Sequence, residues 1–210
     1  MKTEVVIREG EALLAASDET SFVFEVTGLT DAQADLLGTV GEISERIGRI
    51  CEMASLEYRS VGKGSFKGNM IYLDSRMDEL LADMLVDFSQ TGISDCKALV
   101  ERLEKRNPFA RQRSGSYEYK FRKFLYSVVL GMTPLRVWDG CDKGIARYSI
   151  VKENGDVVAY HIYNRDAFET YLLNNTRLER ASTTRHGYAS LYRGEDGKMY
   201  LNLNLQIRFI

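Results

Sequence analysis

The 210-residue sequence has few cysteines, and none of the cysteine pairs that mark a zinc site or a disulfide-rich fold. Cys51, Cys96 and Cys141 are odd in number, far apart and never in a CxxC spacing. This pattern argues against a disulfide framework and a zinc site, and it favours reduced, partly buried thiols.

Long apolar runs are also absent, so no segment is long enough to span a bilayer. The first residues, MKTEVVIREGE, lack the apolar core of a signal peptide, which predicts a cytoplasmic protein with no membrane partner. The sequence contains neither an internal repeat nor a low-complexity segment. We therefore interpret residues 1–210 as a single domain with one main core.

The net charge of only −2 conceals an uneven distribution of charge along the chain. Residues 1–103 carry a net charge of −9, whereas residues 104–210 carry +7. An anionic partner would be attracted to the basic half. Pairing between the acidic and basic halves within one fold is the alternative explanation.

Hydrophobic periodicity predicts an α+β fold with mixed sheets and about five helices. Residues 4–7 and 21–27 are predicted strands, and Thr30 caps a long helix predicted over about 31–54. The segment GKGSFKGN has the glycines and lysines of a phosphate-binding loop but neither the Walker nor the GxGxxG spacing, so an ordinary turn is favoured. The C-terminal part predicts a β-hairpin, a helix and a second β-hairpin.

The segment from Tyr200 to Ile210, YLNLNLQIRFI, carries the strongest strand pattern in the chain. Leucine, isoleucine and phenylalanine alternate with polar residues, so one face of a single strand would be buried. Asparagine is depleted in strands, which leaves two interpretations of the polar face: a half-solvated surface, or a surface that contacts base edges or phosphates. The polar residues are Asn202, Asn204, Gln206 and Arg208. If the face is functional, they should lie on the same side as Arg185 and His186.

Residues 105–123 are basic and contain interleaved aromatic residues, and they end in a predicted helix. A basic loop that leads into a basic first turn is suited to contacts with a phosphate backbone. A solvated basic face is an equally good interpretation of the pattern. The candidate backbone contacts are Lys105, Arg111, Arg113, Lys120 and Lys123.

A second polar group lies in the C-terminal part, where both histidines, His161 and His186, are found. The run from Ser182 to His186 consists entirely of hydrogen-bonding side chains, which suits an anion or a base edge better than a core. A lone histidine is more often a structural residue. The candidate DNA contacts in this part are Arg165, Ser182, Thr183, Arg185 and His186.

Several pieces of the sequence resemble the HpaII-type type II restriction endonucleases. VWDG, the long run YSIVKENGDVVAYHIYNRDAFETYLLNNTRLERASTTRHG and YLNLNLQIRF resemble the C-terminal part of that family. ALLAASDETSFVFEV and FKGNMIYLDSRMDELLADML resemble its middle part. The similarity covers nearly the whole chain and is strongest over residues 138–209.

The resemblance implies a Mg²⁺-dependent enzyme that binds double-stranded DNA at a short sequence and hydrolyses its phosphodiester bonds. It also implies a DNA methyltransferase as functional partner, and a homodimer is a further expectation. In the family pattern a catalytic acid and a Ser-x-Lys motif lie ahead of the segment that is LLAAS in this chain. We therefore expect an N-terminally truncated member in which Lys2 is at most the end of that motif.

Within the chain, Glu25 and Asp74 are the candidate catalytic acids, and the metal ligands cannot be assigned. Asp139 with Lys152 imitates the order of acid and lysine in nucleases, but Ile150 stands where a second acid is expected. Two rival interpretations stay open. The chain could be a non-catalytic DNA-binding remnant, or a small-molecule enzyme with His161 or His186 as its general base.

Overall fold

The computed structural model describes residues 4–141, 147–161 and 164–210. These ranges contain eight α-helices and ten β-strands, besides one short 3-10 helix at Asp18–Thr20. The strands are β1 (Glu4–Arg8), β2 (Ala12–Leu14), β3 (Ser21–Thr27), β4 (Ser55–Val61), β5 (Arg147–Val151), β6 (Val157–His161), β7 (Thr176–Leu178), β8 (Leu191–Arg193), β9 (Met199–Asn204) and β10 (Ile207–Phe209). The helices are α1 (Asp31–Gly38), α2 (Ile43–Met53), α3 (Ser65–Ile71), α4 (Met77–Thr91), α5 (Cys96–Arg106), α6 (Ser116–Val129), α7 (Arg165–Asn174) and α8 (Thr183–His186).

The strands form three small sheets. One is antiparallel with the order β4-β3-β9-β8, another is antiparallel with the order β2-β10-β7, and the third has the order β1-β5-β6 with β1 parallel to β5. The α+β class is therefore confirmed. The predicted number of helices was too low, because α3 and α8 are too short for periodicity to reveal and α1 was merged with α2.

The long helix predicted over residues 31–54 is in fact two helices. α1 ends at Gly38, and the backbone N–H of Thr39 donates to the carbonyls of Leu36 and Leu37. Glu42 then caps α2, because its side chain accepts the backbone N–H of Glu45 at 2.8 Å. Leu36 lies in phase with the apolar residues of α2, which makes the stripe look continuous in the sequence, but Leu36 is exposed and α1 buries Ala34 and Leu37 instead. The glycine-rich segment that follows is the start of α3, with Gly64 at the N-cap position.

The predicted C-terminal strand is also divided. β9 ends at Asn204 in the four-stranded sheet, and β10 begins at Ile207 in a different sheet. Between them the backbone N–H of Leu205 donates to the carbonyl of Thr20 at 2.9 Å. The alternation was interpreted correctly as burial, because the structure buries Leu201, Leu203, Leu205, Ile207 and Phe209. Alternation does not identify the neighbouring strand, and for that reason the change of sheet could not be predicted.

Pairs of antiparallel strands flank the C-terminal helices. β5 pairs with β6, and β8 pairs with β9, while β7, α8 and β10 are elements that the predicted order omitted. Phe168 of α7 is fully buried and stacks on Tyr148 of β5, with a ring-centroid distance of 4.1 Å. Tyr148 in turn shares a hydrogen bond of 2.7 Å with the hydroxyl of Tyr126 on α6. This aromatic cluster joins α6 and α7 to the β1-β5-β6 sheet.

A buried asparagine holds the loop after α6. The Asn69 side chain, on α3, donates to the carbonyls of Thr133 and Arg136 at 3.0 and 2.8 Å and accepts the backbone N–H of Trp138 at 2.8 Å. The loop therefore has one defined conformation although Val137 is largely exposed. In the three described ranges, every helix is too short or too polar to cross a membrane.

Candidate nucleic-acid interface

Basic side chains from three segments meet along the outer side of α6. The inner side of this helix is apolar, and Phe121, Phe124 and Leu125 are fully buried. The 3.6-residue period therefore turns the intervening polar residues outward. Arg113, Tyr119 and Lys120 line one depression of about 560 Å³. The surface formed by Arg113, Tyr119, Lys120, Lys123 and Arg165 is called the α6 surface below.

Direct contacts connect the members of this surface. The ammonium of Lys123 lies 5.1 Å from the ring centroid of Tyr119, within cation–π range. Lys123 and Arg165 both form ion pairs with the carboxylate of Glu169 on α7. Four of the candidate DNA contacts are thus brought together, from the loop before α6, from α6 and from α7. Lys105 is exposed in the last turn of α5.

The backbone N–H groups at the N-terminus of α6 already bind a carboxylate of the protein itself. Oε1 of Glu104 accepts the backbone N–H groups of Tyr117 and Glu118 at 2.8 and 3.2 Å, and Oε2 accepts that of Gly115 at 3.2 Å. Gly115 occupies the N-cap position. A phosphate on this surface would therefore be bound by side chains and not by the helix terminus.

The candidate acid Asp74 lies beside two of the candidate phosphate contacts. Its carboxylate is 3.3 Å from Nη2 of Arg111 and 3.2 Å from Nζ of Lys120. Burial opposes ionisation of Asp74, but hydrogen bonds from the backbone of Arg76 and from Arg111 and Lys120 outweigh it and lower the pKa of this carboxyl. Asp74 is therefore a carboxylate that fixes two cations.

Replacement of Asp74 by asparagine is expected to lower the free energy of unfolding by about 2 kcal/mol at pH 7, because Arg111 and Lys120 lose a charged partner. The pKa of Asp74 is lower in the folded state than in the unfolded state, so its stabilisation is present above the ordinary carboxyl pKa of about 3.9. It is lost as the pH falls through the folded pKa. Urea unfolding of both proteins between pH 7 and pH 3.5 measures the difference.

The matched control is Asp35→Asn, since Asp35 is exposed on α1. Its effect should stay within about 0.5 kcal/mol at every pH. If the free energies of unfolding of wild type and Asp74→Asn differ by the same amount at pH 7 and pH 3.5, the charge of Asp74 is not responsible for that difference.

The second candidate acid, Glu25, is a buried residue of β3 that is enclosed by cations. Its Oε2 accepts hydrogen bonds from Nζ of Lys198 at 3.1 Å and from Nε of Arg59 at 2.8 Å. Hydrogen bonding from Lys198, with that from Arg59, lowers the pKa of Glu25 although burial opposes the shift. Arg59 also binds Glu57 at 2.8 Å, so one guanidinium joins two strand carboxylates.

Neither acid fits a Mg²⁺ ion. Mg²⁺ needs free carboxylate oxygens, but Oε2 of Glu25 and both oxygens of Asp74 already face ammonium or guanidinium groups at about 3 Å. Asp139 accepts the backbone N–H of Cys141 at 3.0 Å. Over the described ranges, no group of three His, Cys, Asp or Glu residues could hold a metal ion. Lys2 lies outside the described residues.

The run from Ser182 to His186 forms the single turn of α8 and its cap. Ser182 caps the turn by accepting the backbone N–H of Arg185 at 3.2 Å, and its hydroxyl is 3.1 Å from that of Thr184. Ser182, Thr183 and Arg185 are exposed, and His186 is half-buried. The turn therefore presents short polar side chains and one arginine on the surface.

The polar residues of the last two strands have different environments. Asn204 is buried and donates to the carbonyl of Ser17 at 3.2 Å. Gln206 and Arg208 both donate to Glu179, and hydrogen bonding from Arg208 lowers the pKa of Glu179. The carbonyl of Asn202 accepts the backbone N–H of Ala189 at 2.8 Å, three residues after the end of α8. The expected single polar row is thus divided, although contact with DNA by these residues stays a prediction.

Sequence reasoning missed the acids that organise these cations. Glu169 binds both Lys123 and Arg165, and Glu179 binds Gln206 and Arg208. Arg122, which also contacts Glu169, was not among the candidate contacts. The i,i+4 spacing of Arg165 and Glu169 on a predicted helix was the one available signal.

Comparison with known proteins identifies the family of the chain. The model of the HpaII restriction endonuclease family matches residues 7–209. The chain belongs to this family. It is 33% identical over 202 residues to the type II restriction enzyme HpaII of Haemophilus parainfluenzae. The alignment covers 94% of this chain and 56% of the relative, so the chain spans little more than half of that enzyme's length. No solved structure matches the chain.

Proposed function

We propose that this chain provides the DNA-binding part of a type II restriction endonuclease and that the α6 surface contacts the backbone of duplex DNA. The observation that carries the proposal is the convergence of Arg113, Lys120, Lys123 and Arg165 on one surface. Phosphate contacts supply most of the affinity of proteins for DNA and fix their register on the duplex. Family membership gives the reason to choose DNA over another polyanion.

Sequence recognition would need a second group of contacts. The exposed polar turn of α8 is the best candidate, because Ser182, Thr183 and Arg185 offer hydroxyl and guanidinium groups suited to base edges. Asn202 lies near this turn and could add a further contact with the bases. Asn204, Gln206 and Arg208 support the proposal less, since each is bound within the fold.

Hydrolysis of the phosphodiester bond with Mg²⁺ is the activity proposed for the whole enzyme. Glu25 and Asp74 do not fit the metal, so carboxylates other than these two would hold it. The protein would act in the cytoplasm beside a DNA methyltransferase that protects the host's own sites. A homodimer would allow both strands of a symmetric site to be cut.

The test of DNA binding is fluorescence anisotropy with a labelled duplex over a range of NaCl concentrations. Arg113→Gln removes one exposed cation from the α6 surface. It should lower the magnitude of the slope of log K against log [NaCl] by about 0.9, the value for one phosphate contact. Arg49→Gln, which changes a half-exposed arginine paired with Glu45 on α2, is the matched control and should leave the slope unchanged.

Absence of duplex binding at low salt would contradict the proposed function. Binding with an unchanged slope in Arg113→Gln would instead place the contact elsewhere. Affinity that does not depend on salt would favour the small-molecule enzyme with a histidine base over both DNA-binding interpretations.

A further inference from the structure

The loop between α6 and β5 presents the most exposed large apolar side chains of the described residues. Val137 is 84% exposed and Leu135 is 70% exposed, and the exposed Arg136 lies between them in the chain. Single apolar residues are ordinary at a protein surface, but a contiguous group of them marks a contact surface. The neighbours of this loop therefore decide whether the two side chains belong to such a group.

Aromatic rings connect the loop to the end of α3. The ring of Tyr72, which is 65% exposed, meets the ring of Trp138 edge to face at a centroid distance of 6.1 Å. Val137 and Trp138 line one depression of about 250 Å³, together with Arg136. Two separate segments thus contribute to one apolar surface. The surface formed by Tyr72, Leu135, Val137 and Trp138 is called the apolar patch below.

Contacts with the rest of the fold hold the backbone of the apolar patch in place. Asn69 accepts the backbone N–H of Trp138 and donates to two further carbonyls of the loop. Gly140 lies against Tyr72, because a Cβ at this glycine would come within 3.3 Å of the ring. A surface whose backbone is already fixed loses less conformational entropy when it binds, so the patch is prearranged for a partner.

The apolar patch adjoins the α6 surface. Nζ of Lys120 donates a hydrogen bond to the carbonyl of Leu73 at 3.3 Å, and Leu73 directly follows the exposed Tyr72. A cation proposed to contact phosphates is thereby connected to an aromatic ring of the patch. A duplex whose phosphates contact the α6 surface would therefore have its bases beside the apolar patch.

The carboxylates near the patch favour bases over phosphates as its ligand. Asp74 is already bound by Arg111 and Lys120. Asp139 is exposed and lines the same depression as Val137. An exposed carboxylate would repel a phosphate, whereas it can accept a hydrogen bond from the amino group of cytosine. Contacts with bases also use apolar burial and stacking, which do not depend on an excess of positive charge.

We infer that the apolar patch contacts the bases of duplex DNA, with Leu135 and Val137 as a wedge against the base stack. The inference rests on the proposed function and adds to it an element that binds bases beside the phosphates. Proteins that deform DNA insert apolar side chains between base steps. Aromatic rings such as that of Tyr72 stack on bases, and an arginine such as Arg136 is the commonest partner of guanine.

The experiment measures duplex affinity, its salt dependence and the emission of Trp138. Because Trp138 is the single tryptophan of the chain, its emission reports on the patch directly. Bound duplex should protect Trp138 from quenching by acrylamide. The double variant Leu135→Ala/Val137→Ala should lower the affinity about tenfold, because apolar area that the bases would cover is lost. Its salt slope should equal that of wild type, since no phosphate contact is removed.

The matched control is Val157→Ala, which shortens another exposed valine, on β6, and should leave affinity and slope unchanged. Circular dichroism verifies folding, which both exposed positions of the double variant should preserve.

The inference and the proposed function fail in different ways. If wild type binds duplex DNA, unchanged affinity in the double variant or unprotected Trp138 overturns the inference alone. A smaller salt slope in the double variant would also overturn it, because the loop would then act on phosphates. Sedimentation tests the other occupant: a wild-type dimer that the double variant dissociates would show that a second copy covers the patch. No duplex binding by wild type contradicts the proposed function instead.

Discussion

Phe168→Ala is expected to lower the free energy of unfolding by about 3 to 5 kcal/mol, the range for a buried phenylalanine. The side chain is fully buried, and its ring stacks on Tyr148 with an interplanar angle of 7°. It also contacts Tyr126 edge-on and lies 5.8 Å from the ring of Tyr160. Removing the ring would leave a cavity where α6, α7 and the β1-β5-β6 sheet meet.

Urea unfolding followed by circular dichroism measures this loss. Phe168→Leu should lower the free energy of unfolding clearly less, because the leucine side chain fills part of the cavity. Val157→Ala is the control on the neighbouring strand β6, since Val157 is 61% exposed and should change stability by no more than about 0.5 kcal/mol. A loss below about 1 kcal/mol for Phe168→Ala would show that α7 does not depend on the aromatic cluster.

Asn69→Ala is expected to cost about 2 to 3 kcal/mol, because three backbone groups of the following loop lose their partner at once. For a protein of this size the loss corresponds to a fall in Tm of roughly 4 to 12 °C. Asn69→Asp should not restore stability, since a carboxylate would face the carbonyls of Thr133 and Arg136 without a donor.

Thermal unfolding measures this effect, with Asn174→Ala as the control at an exposed position near the end of α7. The fluorescence of Trp138, the single tryptophan of the chain, gives a local signal, because its backbone N–H is bound to Asn69. An Asn69→Ala protein with unchanged Tm and unchanged tryptophan emission would contradict a structural role for this amide.

The local parts of the fold could be predicted because they depend on nearby residues. Alternating Phe22, Phe24 and Val26 defined the strand over residues 21–27, and the structure has β3 with the same bounds. The capping box of Thr30 and Gln33 located the start of α1. The break between α1 and α2 was missed, because the exposed Leu36 continues the apolar spacing of α2 in the sequence.

The candidate interface was predicted only in its basic half. The cations near α6 stand out in the composition, but the acids that hold them do not. Glu169 resembles an ordinary surface acid of an amphipathic helix, and its burial depends on contacts with α6 that no local pattern encodes. Asp74 looked like a free acid for the same reason, although Arg111 and Lys120 enclose it.

The position of the last two strands has a consequence for biosynthesis. β9 lies between β3 and β8, and β10 lies between β2 and β7, so two sheets lack an inner strand until residues 199–209 have been made. Pairing over such long separations is slow. A growing chain on the ribosome would therefore leave one backbone edge of β3 unpaired, and chaperones would have reason to bind it. These two sheets can therefore be completed only after β9 and β10 have been translated.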